Sequence, residues 1–259
     1  ELDCDGVSAL ENYKAVMTGS HPEYFTESML NALLNYRESG GNLIYLGGNG
    51  FYWRIARHLE DPSLLEIRRA EDGIRAWASE PGEYYNAFDG KYGGLWRRNA
   101  RPPQKLVGVG FTAQGNFVGM PYNRICFDKK LDWVFEGVHE KILGDFGLSG
   151  GGAAGFELDR VDSKLGGDQN ITILAQSYDL DGKFMLVPEE QLTHLTNVSG
   201  EPEKNIKRAD MVYFQVPGGG SVFSVGSITF CGSLPHNQFI NDISRILENV
   251  VKKLCAVKL

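Results

Sequence analysis

The chain has 259 residues, 26 basic against 33 acidic side chains for a net charge of −7, and 42% hydrophobic residues. This acidic balance argues against a nucleic-acid surface, no apolar run approaches the ~20 residues of a membrane-spanning helix, and the length suits one globular unit with a large core. Cys4, Cys126, Cys231 and Cys255 stand far apart with no CxxC pair, which indicates neither a zinc site nor a disulfide framework; reduced thiols in a cytoplasmic protein are the expectation.

In chain order, residues 13–18 read as a short, mostly buried strand ending at Gly19. Ser20, His21, Pro22, Glu23 and Tyr24 follow, crowding an imidazole, a carboxylate and a phenol where a strand hands over to a helix. Such positions hold the chemistry of many α/β proteins. They are also where similar side chains merely cap the helix and pack beneath it. Met29, Leu30, Leu33, Leu34 and Tyr36 mark the apolar face of that helix, which Gly40 and Gly41 close. Residues 42–46 form a second apolar run, ended by Gly47-Gly48-Asn49-Gly50 and then Phe51, Tyr52 and Trp53. Strand, helix and strand with short connections make a βαβ unit, so the strands are parallel and the two turns meet at one sheet edge.

Residues 62–128 are rich in glycine and aromatics with few helical periods, and read as an irregular, β-containing insertion beside the main sheet, poised to cover the site mouth. Tyr84, Tyr85, Phe88, Tyr92 and Trp96 either line an apolar pocket or pack the insertion down, and packing is favoured. Arg97, Arg98 and Arg101 suit a solvated loop or a subunit contact. Gly108-Val109-Gly110-Phe111-Thr112-Ala113 fits the dinucleotide pattern, with Asp128 near the distance of a ribose-binding acid. However, Gln114-Gly115-Asn116 interrupts where a helix should run, so a bend between strands is expected. No Gly-Lys-Ser or Gly-Lys-Thr follows any glycine cluster, which removes a P-loop. Residues 211–216 and 221–230 alternate on either side of Pro217-Gly218-Gly219-Gly220, as two strands joined by a turn. Ile240, Ile243, Ile246, Leu247, Val250, Val251 and Leu254 form an amphipathic C-terminal helix against the sheet, with Leu234-Pro235-His236-Asn237 as its cap. His58, His139, His194 and His236 are scattered, as surface or cap residues are. The glycosylation-type patterns at Asn170 and Asn197 are too common to carry weight.

Residues 18–24, 40–53 and 152–160, with Gly93-Gly94-Leu95-Trp96-Arg97 and residues 223–228, resemble the large subunit of N,N-dimethylformamidases. That family is understood to hydrolyse an amide at a mononuclear ferric centre held by two tyrosine phenolates and one carboxylate. Its domain resembles class I glutamine amidotransferases. The resemblance therefore implies an α/β fold with a three-layer sheet of that type, a β-rich insertion and an Fe(III) cofactor. It also implies a small N-alkyl amide as substrate and a small helical subunit as partner in a hetero-oligomer. Carried over by motif, Glu23 is the iron carboxylate, His21 its neighbouring histidine, Asn49 the active-site asparagine and Glu157 the proton-transfer glutamate. The phenolates would lie upstream of His21, where Tyr13 is the sole tyrosine. Residues 1–259 are accordingly read as the C-terminal catalytic domain of a larger polypeptide, lacking the first strands of its sheet and inactive alone.

The implied chemistry suits these residues. Ferric iron is a hard cation that prefers anionic oxygen ligands, polarises a carbonyl and acidifies a water. Proton transfer by Glu157 would contribute roughly 10²–10⁴ in rate. The plainer reading makes Glu157 a surface carboxylate paired with Arg160; the resemblance, together with the neighbouring Gly150, Gly151, Gly152 and Gly155 that bring backbone close, favours the site. Tyr24 is assigned to packing or pocket lining. No cysteine follows Leu46, so an amidotransferase fold would be kept without its nucleophile. The alternative is a non-catalytic binding or assembly domain of the same superfamily.

Overall fold

In the computed structural model, which describes residues 1–69, 80, 83–166, 170–188, 190 and 202–256, the strands follow in chain order. They are β1 (Ala15–Met17), β2 (Tyr24–Phe25), β3 (Asn42–Tyr45), β4 (Trp53–Arg57), β5 (Leu65–Ile67), β6 (Gly110–Met120), β7 (Tyr122–Arg124), β8 (Ile142–Leu143), β9 (Ala154–Arg160), β10 (Thr172–Tyr178), β11 (Phe184–Leu186), β12 (Arg208–Gln215) and β13 (Ser221–Ser224). A seven-stranded sheet has the order β1-β3-β13-β12-β10-β7-β8. Its β1, β3 and β13 are parallel and the remaining neighbours antiparallel. Among the described residues, two three-stranded sheets, β11-β6-β9 and β2-β4-β5, complete the β-structure.

Every residue of β3 is buried, as expected of a strand covered on both faces. Alternation sends Leu43 and Tyr45 into one core with Leu30, Leu33 and Tyr36, and Ile44 into the other with Ile243, Ile246, Val250 and Leu254. The helices Glu27–Glu38 and Asp242–Cys255 therefore cover opposite faces, making three layers at this part of the sheet. Each has a side-chain cap: Met29 N donates to Thr26 Oγ1 at 3.2 Å, and Ser244 N donates to Asn241 Oδ1 at 2.8 Å.

The βαβ reading of residues 13–46 holds, with β1 parallel to β3 in the register Ala15 to Asn42. Several details differ. β1 is a partly exposed edge strand, because only β3 flanks it, and Met17 is left exposed. The His21 to Glu23 turn leads into β2, which pairs with β4, before Thr26 starts the helix; these side chains are therefore not its cap. The C-terminal helix is capped by Asn241 rather than residues 234–237, and Ile240 lies outside it, exposed.

Residues 62–128 are not all peripheral. β5 pairs with β4, but β7 belongs to the seven-stranded sheet and β6 is the central partner of β9. The dinucleotide-like stretch contains the left-handed Gly108 (φ 82°) closing the short helix Gln104–Val107, followed by a strand instead of a helix. Trp96 is buried, with its Nε1 donating to Phe25 O at 3.1 Å, while Tyr85 stacks edge-on against Tyr92 and Phe88 against His58. Trp96 and Phe88 thus fasten this stretch to its neighbours, while Tyr85, itself exposed, and Tyr92 pack on each other within it. Arg97 reaches Glu190 at 2.6 Å. The 217–220 turn joins antiparallel β12 and β13 as expected. His58 receives the Asp61 amide at 3.0 Å and His236 stacks on Phe146, whereas His194 and Asn197 lie outside the described residues. All four cysteines are free thiols. Among the described residues, no helix is long and apolar enough to cross a membrane.

Candidate functional site

Backbone hydrogen bonds sew the turn at residues 20–23 to the turn at residues 47–50. Gly48 N donates to Ser20 O (3.2 Å), Phe51 N to Pro22 O (2.7 Å) and Tyr52 N to Glu23 O (2.9 Å). On the far side, Ser227 N donates to Gly47 O at 2.8 Å, so the end of β13 closes the same edge. Glycines permit this crowding. A Cβ on Gly47 would stand 2.5 Å from Ser20 O, one on Gly48 2.5 Å from Glu157 O, and one on Gly50 2.6 Å from the Tyr45 hydroxyl. Gly48 therefore lets the turn rest on β9 at Glu157. The glycines of residues 150–155 serve elsewhere: Gly150, Gly152 and Gly155 press on β6 between Phe117 and Met120.

The four side chains singled out in the sequence converge. His21 Nε2 lies 3.2 Å from Glu157 Oε2 and 3.4 Å from Glu23 Oε2. Asn49 Nδ2 is 3.3 Å from His21 Nε2 and donates to Glu23 Oε1 at 3.3 Å. His21 is the open side of the group at 36% side-chain exposure, Glu23 is at 16% and Glu157 at 8%. With a proton on Nε2 the ring can donate to either carboxylate, and Asn49 Nδ2 then donates to Glu23 rather than to the ring. Arg160 does not pair with Glu157; its guanidinium binds Asp162 and Glu190 at 2.9 and 3.0 Å.

Glu23 is a partly solvated anionic oxygen donor, the type a hard cation selects. Beside it, Asn49 Oδ1 is buried and accepts no hydrogen bond, so a further donor or cation would satisfy it. Among the described residues, no three His, Cys, Asp or Glu side chains are grouped to hold a metal ion. A carboxylate and an amide oxygen are donor types that a hard cation accepts, and here they supply only part of a ligand set.

A second layer was not legible in the sequence. Asp159, two residues after Glu157 on β9, is fully buried; its Oδ1 accepts the Asn49 amide at 2.7 Å and its Oδ2 the Tyr45 hydroxyl at 2.8 Å. Burial pushes the Asp159 carboxyl up to about 7, although these two hydrogen bonds pull it down. Between the ordinary 3.8 and about 7, the folded protein holds a proton that the unfolded chain releases, so stability falls as pH rises through this window. We expect Asp159→Asn to gain stability relative to wild type over the same window, by on the order of 4 kcal/mol in total. Denaturant melts at several pH values would check this; parallel pH profiles would refute it.

Arg69 and Tyr24 border the site. The Arg69 guanidinium lies 5.0 Å over Trp53 and donates to the Tyr24 hydroxyl. Burial and then the Glu23 charge hold the Tyr24 phenol above its ordinary range. Tyr24 is thus a rim residue facing Glu23, which suits its assignment to pocket lining. Nothing in the local sequence marked Arg69, because its approach depends on β4 and β5.

The profile of a family described as "N,N-dimethylformamidase beta subunit-like, C-terminal" matches residues 1–242. The N,N-dimethylformamidase beta subunit of Paracoccus aminophilus is 39% identical over 257 residues, and that of an Alcaligenes species 38% over 259. These alignments cover 97% and 98% of this chain but 33% of each relative, so the chain spans about a third of their length. Since the match runs through both turns and through the Glu157 strand that meets them, the chain belongs to the N,N-dimethylformamidase beta subunit-like, C-terminal family.

Proposed function

We propose that this chain provides part of the active site of an amidohydrolase that cleaves a small N-alkyl amide of the dimethylformamide type, with Glu23 as the carboxylate ligand of a ferric ion. The observation that carries this reading is the meeting of His21, Glu23, Asn49 and Glu157 within 3.2 to 3.4 Å contacts. When bound, the ion would polarise the amide carbonyl and acidify a water.

Glu157 accepts the proton of the attacking water as oxygen bonds to the carbonyl carbon. It then returns that proton to nitrogen as the C–N bond breaks, leaving formate and dimethylamine from dimethylformamide. His21 fixes Glu157 and Glu23 relative to each other through one ring nitrogen. Asn49 steadies Glu23, and its amide is placed beside the region where negative charge develops on oxygen. The parallel β1-β3-β13 core between two helices supports the proposal of an amidotransferase-like sheet without a nucleophilic cysteine. The beta-subunit naming of the relatives supports a multi-subunit enzyme; a small helical partner subunit is proposed from the family resemblance alone.

The test is iron content and amide turnover of the complete natural protein. Stoichiometric iron together with formate release from dimethylformamide is the expected result. Neither iron nor turnover would move the assignment to a binding or assembly role.

A further inference from the structure

Among the described residues, Asn49 is one of eight other than glycine held at positive φ, at 50°, with Phe51 following at 55°. Asparagine tolerates that conformation, but it costs free energy and persists only where the surroundings impose it. Here two buried side chains impose it. Asp159 Oδ1 receives the Asn49 amide at 2.7 Å, and the Tyr45 hydroxyl receives the Gly50 amide at 2.8 Å while donating to Asp159 Oδ2 at 2.8 Å. Both side chains are 0% exposed. Asp159 is itself pinned: its amide donates to Gly226 O at 2.9 Å, and Gly226 lies close enough that a Cβ would stand 2.6 Å from Asp159 O.

We propose that Asp159, acting with Tyr45, is a positioning residue for Asn49: the pair grips two successive amides of the turn and thereby aims the Asn49 side chain at His21 and Glu23. The inference rests on the amidohydrolase reading of this site. The division of labour follows from strand geometry, since residues two apart on a strand share a face. Glu157 meets the His21 imidazole, and Asp159, on the same face of β9, meets the backbone of the facing turn. Neither Asp159 nor Tyr45 touches His21 or Glu23 in the hydrogen-bond network, so their effect must pass through Asn49.

The test uses the complete protein carrying Asp159→Asn, Tyr45→Phe, Asn49→Ala and the double change Asp159→Asn with Asn49→Ala. Asp159→Asn and Tyr45→Phe should speed hydrogen exchange at the Asn49 and Gly50 amides and lower kcat about 10²-fold, the size expected of a misplaced site group, with KM less affected. The double variant should be no slower than Asn49→Ala alone. Losses that multiply in the double variant, wild-type kcat in Asp159→Asn, or unchanged amide exchange would each overturn the inference. If a single variant fails to fold, the other supplies the same readouts: Tyr45→Phe removes the acceptor of the Gly50 amide, and Asp159→Asn puts a neutral amide in place of the carboxyl that receives the Asn49 amide. If the wild-type protein hydrolyses no amide, the functional reading falls separately. The Asn49 side-chain amide resonances then decide: displaced in Asp159→Asn they support positioning, and unmoved they overturn it.

Discussion

Replacing Glu23 with alanine in the complete protein is expected to abolish both iron retention and amide turnover. Its carboxylate is an anionic oxygen at the site that faces partly to solvent, and hard cations depend on such charge. Removing it also takes the acceptor from Asn49 Nδ2 and one of two carboxylates from His21 Nε2. Because Glu23 is only half-buried and its backbone makes the bonds to Tyr52 and Trp53, the fold should survive the truncation. Glu23→Gln separates charge from shape. It keeps the volume and an acceptor for Asn49, so loss of iron in this variant as well would trace the defect to the missing charge. Elemental analysis with formate release measures both effects. Normal iron and normal turnover in Glu23→Ala would remove Glu23 from the site.

Glu157→Gln is expected to lower kcat by roughly 10²–10⁴ while iron is retained, the range for removal of a general acid–base group. The amide fills the same buried space, where Gly48 rests on the Glu157 carbonyl and His21 faces the side chain, so substrate affinity and folding should change little. It cannot accept and return the proton. Steady-state kinetics with iron analysis on the same preparation distinguish three results. Lost kcat with retained iron supports proton transfer, lost iron makes Glu157 a ligand, and unchanged kcat leaves it a structural partner of His21.

Much of the local architecture was legible in the sequence because it depends on short-range patterns. The apolar spacing from Met29 to Tyr36 with Gly40 and Gly41 fixes the helix Glu27–Glu38, and the flanking apolar runs fix a parallel pair. Caps were read less well. Thr26 and Asn241 are the capping residues, and the first was obscured because two residues of strand intervene between Glu23 and the helix. The interval 62–128 was misread in part because β6 and β7 gain their partners from β9 and β10, far along the chain. Strand identity there is decided by cross-strand pairing, which no local window contains.

For the candidate site, residue type marked His21 and Glu23, the family resemblance added Asn49 and Glu157, and the βαβ rule placed the first three at one edge. Only tertiary structure brought Glu157 to them. It did so through Gly48, whose missing side chain lets the turn approach β9. Tertiary structure alone also put Arg69 over Tyr24 and seated Asp159 and Tyr45 behind Asn49. Residue type and spacing set what a side chain can donate, accept or ionise, and these are local properties. Burial and distance set which of them act together, and those arise only when segments more than a hundred residues apart pack into one core.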